Sequence, residues 1–175
     1  MESIELRVKQ MEEDLRSTRI KIQAHLDYMV SLEGFDKAFI MERIVMFGSL
    51  SIPYVKELYL QTQNYDELII CAIALLDWGD DSVIPTIAKY ALNTNDYSCL
   101  AVNKMASHSR NELYPDILKR LKSELHEEEL VGIILYLKKI GKPIPLDMLA
   151  SLKGKYNTPK SLHLKHLLTS PDSCI

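Results

Sequence analysis

Pro53, Pro85, Pro115 and Pro145 stand 32, 30 and 30 residues apart in a chain of 175 residues. Glycine keeps a similar interval: Gly48 and Gly79 are 31 apart, and Gly141 lies twice that distance beyond Gly79. At each of these places an apolar run ends, polar residues follow, and a proline opens the next apolar run. Glycine suits the left-handed residue just past a helix. Proline suits the first helical turn, whose N–H groups have no intrahelical partner. Residues 75–92, LLDWGDDSVIPTIAKYAL, carry the whole series of signals. Each unit therefore reads as helix, short turn, helix. One such pair cannot bury its own apolar face, so neighbouring pairs must stack.

Taken in order, the chain opens with one long helix over residues 3–32, uninterrupted by Gly or Pro. Ile4, Val8, Met11, Leu15, Thr18, Ile22, His25 and Met29 recur at alternating spacings of four and three, with charged residues between them. Two readings follow: a coiled-coil seam that dimerises the protein, or a cap that lays the seam over the open end of a repeat stack. Glu33-Gly34 ends this helix, and Asp36 is positioned to cap the next, which runs to Gly48. Pro53 opens IPYVKELYL. Asn64 or Asp66 caps a helix ending at Gly79, and Pro85 opens IPTIAKYAL. Asn95 or Asp96 caps YSCLAVNKMA, and Pro115 opens YPDILKRLKSEL. Residues 127–129 start a helix ending at Gly141, Pro145 opens the next, and Thr158-Pro159 starts the last.

Composition narrows the function classes. Hydrophobic residues make up 47% and aromatics only 7%, which fits a helical core built on Leu and Ile. The 21 basic and 24 acidic residues give a formal charge of −3, without the basic excess of a phosphate-gripping protein. Cys71, Cys99 and Cys174 are scattered and odd in number, as expected in a reducing compartment. The opening stretch is charged, and no apolar run approaches the ~20 residues that cross a bilayer. The expectation is a soluble, cytoplasmic protein. No GxSxG, Walker A or GxGxxG motif marks a catalytic loop. His163 and His166 lack a third ligand at a fixed offset, so no metal or cofactor is assigned.

The segments LLDWGDDSVIPTIAKYAL and ILYLKKIGKPIPLDMLASL resemble HEAT repeats, in the short form of about 30 residues first associated with phycobilin lyases. The resemblance covers residues 36–170, and its third unit, HSRNELYP, lacks the glycine. It implies an all-α fold: a short right-handed α-solenoid of about four to five HEAT-like helix pairs, spanning 35–175, preceded by a capping helix over 1–34. It also implies a binding scaffold without catalytic residues.

Two surfaces are expected to hold a partner. On the concave face, aligning the prolines places Tyr54, Glu57, Lys89, Tyr90, Asp116 and Arg120 outward, with Val55, Ile87 and Ile117 in the core. The second surface is an acidic edge of turns, NYDE (64–67), NTND (93–96) and HEEE (126–129), joined by the turn after Trp78. Its candidate residues are Trp78, Asp80, Asp81, Asp96, Glu127 and Glu128. Acids at helix N-termini also serve as caps, which alone accounts for many of them. The expected partner is one globular protein, and a basic toxin nuclease would complement the edge; this makes the chain a dedicated inhibitor of the bacterial-immunity type. The alternatives are a HEAT-like DNA glycosylase using Lys89, Lys119, Arg120 and Lys122, or an adaptor homodimerised through residues 3–32.

Overall fold

The structure, a computed structural model, describes residues 4–92, 97–156 and 162–169. Among these residues there are ten α-helices and no strand: α1 (Ile4–Val30), α2 (Asp36–Val45), α3 (Ile52–Gln61), α4 (Tyr65–Asp77), α5 (Ile84–Ala91), α6 (Ser98–Ser107), α7 (Tyr114–Arg120), α8 (Glu127–Lys139), α9 (Leu146–Lys155) and α10 (Leu162–Thr169). Contacts gather into two compact units, one up to Thr86 and one from Ile87 onward, so the division falls within α5. No single described helix is long and apolar enough to cross a membrane.

In the first unit, α4 is the centre. Its stretch Ile69–Leu76 is apolar all round and buried all round, as a helix without a polar face must be. It packs against α2 and α3, and α1 lies across both. Asn64 caps α4, its side-chain oxygen accepting from the N–H groups of Asp66 (2.9 Å) and Glu67 (3.2 Å). Asp36, expected as the cap of α2, is instead that helix's first residue, after Phe35.

The seam of α1 is divided. Ile22, Leu26 and Met29 are buried, and the His25 ring meets Phe47 edge-on at 5.6 Å. Ile4, Val8, Met11 and Leu15 are 80%, 48%, 64% and 41% exposed. The reason is length. A 27-residue helix is about 40 Å long, whereas the 10-residue helices beneath it span about 15 Å. The seam is therefore covered only from Ile22 onward. Of the seam over residues 3–32, Ile22 and Met29 belong to the core, and Ile4, Val8, Met11 and Leu15 form its exposed part.

One buried ion pair ties this unit together. Lys37 Nζ donates to Glu67 Oε1 at 2.8 Å and to the carbonyls of Met29 (3.2 Å) and Val30 (3.1 Å). Thr62 Oγ1 donates to the other Glu67 oxygen at 2.6 Å. A cation at the carbonyl end of α1 complements its dipole. Glu67 in turn satisfies the lysine, so neither charge is buried alone. Cys71 sits nearby; burial pushes its thiol up to about 12, Glu67 reinforces the shift and Lys37 opposes it.

In the second unit α6 packs on α8, and α10 packs on α8 and α9. The core is lined by residues such as Val102, Met105, Ile117, Leu130, Ile134 and Leu137. Helix α7 ends at Arg120, earlier than YPDILKRLKSEL suggests. The expected start of the last helix at Thr158-Pro159 lies outside the described residues.

The same turn closes three helices. Backbone N–H groups of Asp80, Arg110 and Lys142 reach back to the carbonyls of Leu75 (3.0 Å), Met105 (2.9 Å) and Leu137 (3.0 Å). Inside each loop a second bond runs from Gly79 to Leu76, Ser109 to Ala106 and Gly141 to Lys138. This is the Schellman arrangement, which needs a left-handed residue at its apex. Gly79 (φ +87°) and Gly141 (φ +65°) provide it in two turns, and Ser109 (φ +53°) provides it in the third. The stretch without a glycine thus makes the same turn. Beside it, the buried Tyr136 hydroxyl donates to Arg110 O at 2.6 Å and fixes the residue that follows Ser109. Burial pushes this phenol up to about 12, with Glu112 reinforcing the shift and the Leu113 backbone opposing it.

Candidate functional site

Each unit carries one open concavity that joins sequence-predicted residues to others. In the first unit, α1 contributes Gln23, Leu26, Asp27 and Val30, and α3 contributes Tyr54, Glu57, Leu58 and Gln61. Both sets follow the i, i+3, i+4, i+7 spacing that brings side chains onto one helical stripe. The groove between the stripes holds about 170 Å³. Leu26 is buried at its base, and Tyr54 and Leu58 are half-buried. The rims match across the groove: Gln23 Nε2 donates to Asp27 Oδ1 at 2.9 Å, and Gln61 Nε2 donates to Glu57 Oε1 at 3.1 Å. Each amide engages one oxygen of an exposed carboxylate. An apolar floor between two carboxylates suits a long cationic side chain, whose stem packs while its head pairs.

In the second unit, Arg120, Glu124, Leu125, His126, Lys155 and Tyr156 line a broader hollow of about 480 Å³. Arg120 grips Glu129 through two bonds, Nε to Oε1 at 2.6 Å and Nη2 to Oε2 at 3.0 Å. Lys155 Nζ donates to Ser123 O at 3.3 Å, and the Tyr156 hydroxyl donates to Leu125 O at 2.7 Å. These groups clasp the connection between α7 and α8. Such a bidentate arginine–carboxylate pair holds its own geometry.

The other predicted residues are placed as follows. Val55, Ile87 and Ile117 are fully buried, as the proline alignment requires. Tyr54 and Glu57 meet in the groove. Lys89 is exposed, and Asp116 is exposed and paired with Lys119 at 2.8 Å. Tyr90 is a correction: it is 5% exposed and belongs to the core. Tyr90 follows Ile87 by three residues, so the two share a helical face, and on α5 that face is buried at both positions.

Along the acidic turns, Trp78 is half-buried at the C-terminal end of α4. Asp80 is already engaged. It accepts from Lys56 Nζ at 2.8 Å, from Ser82 Oγ at 2.5 Å and from Ser82 N at 3.1 Å. The Lys56 hydrogen bond, followed by that of Ser82, holds its carboxyl at about 2. Asp81 is exposed and Glu127 half-buried. Glu67, part of the NYDE turn, points inward to Lys37, not outward to an edge. Asp96 and the Glu128 side chain lie outside the described residues, as does the His163 side chain. Among the described residues no three His, Cys, Asp or Glu side chains form a metal-binding cluster.

Sequence reading alone does not single out Asp27, Gln23 or Gln61. They are ordinary polar positions until the packing of α1 against α3 decides which stripe of each helix meets the other. Their shared spacing with Tyr54 and Glu57 is the one signal present beforehand. Compared with protein-family models, with curated proteins and with solved structures, the chain has no significant match.

Proposed function

We propose that this protein is a non-enzymatic protein-binding module: a short right-handed α-solenoid of HEAT-like pairs that works in the cytoplasm as a dedicated inhibitor. Its partner is one globular basic protein, such as a toxin nuclease, and it acts as an immunity protein does, by occluding the active or target-binding surface. The repeat reading is supported by the recurring Schellman turns and by first helices that pack on one another, α2 on α4 and α6 on α8. The observation that carries the binding reading is the α1–α3 groove, where Asp27 and Glu57 flank an apolar floor beside Tyr54. It is shaped for a lysine or arginine on the partner. Tyrosine is enriched at such anchors. A DNA-binding reading draws less support, since Lys119 and Arg120 each have an acidic partner.

The test is affinity capture from the native host lysate with three baits: wild type, Asp27→Lys/Glu57→Lys, and Asp81→Lys/Glu127→Lys. We expect one stoichiometric basic partner, lost only with the groove variant. Loss with the turn variant alone moves the site to the acidic edge. Absence of any stoichiometric partner with wild type overturns the inhibitor reading.

A further inference from the structure

We propose that the exposed first half of α1 joins two copies of this chain, residues 4–15 of each lying antiparallel against the other. Ile4, Val8, Met11 and Leu15 face one direction on the helix, and they contribute nothing to their own core. Their spacings run four, three, four, and so read the same in both directions. A second copy turned end for end therefore sets Ile4 against Leu15 and Val8 against Met11 in every layer, as a two-fold contact requires.

The same helical face fixes the direction. From Ile22 onward it is covered by the helices of its own unit. In a parallel pair, both bodies would need the space between the two helices. In an antiparallel pair, each body sits past the other copy's N-terminal end, and the seam is open along its length. The flanking charges leave the contact to the apolar seam: Arg7 of each copy comes beside Asp14 of the other, an attraction made twice. Glu5 comes beside Glu12 on the opposite flank, a repulsion also made twice, and solvent and salt screen both kinds of pair alike. Covering the seam and its flanks on both copies removes roughly 1,000 Å², near the lower limit for a specific interface. The dimer is thus reversible and depends on concentration.

Sedimentation velocity on the full chain, from micromolar to near-millimolar, tests this. Wild type should shift from monomer to dimer. Val8→Glu/Met11→Glu should weaken the dimer at least tenfold with an unchanged circular dichroism spectrum, because both side chains lie outside the core. A cross-linking series with Cys99 and Cys174 replaced by serine fixes the direction. Ile4→Cys mixed with Leu15→Cys should cross-link efficiently, and Ile4→Cys alone should not. Monomer at every concentration, a dimer indifferent to the glutamates, or preferential Ile4→Cys self-linkage would each overturn the proposal.

Discussion

Ser109 holds a conformation that its side chain disfavours. A left-handed residue other than glycine costs about 1 kcal/mol or more, yet three turns demand it and only two have the glycine. Replacing Ser109 by Gly should therefore raise stability by about 1 kcal/mol in urea unfolding. Gly79→Ala should lower it by a similar amount. A methyl at Gly79 meets no atom within 4 Å, so that cost is conformational and not steric. An unchanged midpoint for both variants would contradict the strain argument. This turn also marks where the sequence stops being readable. Gly and Pro announce the other turns by residue type. HSRNELYP keeps its proline, Pro115, but no glycine announces the left-handed residue, and the Tyr136 hydroxyl on Arg110 O secures the turn from 26 residues away.

Among the elements, the pair formed by Lys37 and Glu67 links α2 to α4 and closes the end of α1. Breaking one side leaves a buried charge without its counter-ion. Lys37→Met should thus cost about 3–5 kcal/mol, whereas Lys37→Met/Glu67→Leu should cost clearly less than the sum of the single changes. Thermal and urea melts of the two singles and the double measure this coupling; strict additivity would refute it. Neither residue stands out in the sequence, where each looks like a surface charge on an amphipathic helix. Helix positions, by contrast, are legible because they follow from local periodicity. The split seam of α1 is not legible, since its heptad spacing continues unbroken from the exposed half into the buried half. What divides it is the length of the helices underneath, a property of other segments.

Across the whole molecule, acid stability is tied to the contact between α3 and the turn after α4. Asp80 is held at about 2 by Lys56 and Ser82, below the ordinary value of about 3.9. Its folded value is depressed, so its stabilising contribution is complete above about pH 4 and is lost as pH falls through about 2. Wild type should outlast Asp80→Asn in urea at pH 5, and the gap should narrow on approaching pH 2. A gap independent of pH would show that the carboxylate plays no such part. The candidate groove was half legible: Tyr54 and Glu57 come from the proline register, but their partners Gln23 and Asp27 depend on how α1 settles. That division of α1 has a consequence for how such a chain can change over generations. Substitutions up to Leu15 leave the fold unburdened, while those from Ile22 on are judged by it. A single continuous helix thereby carries one stretch free to acquire new associations and another bound to its inheritance.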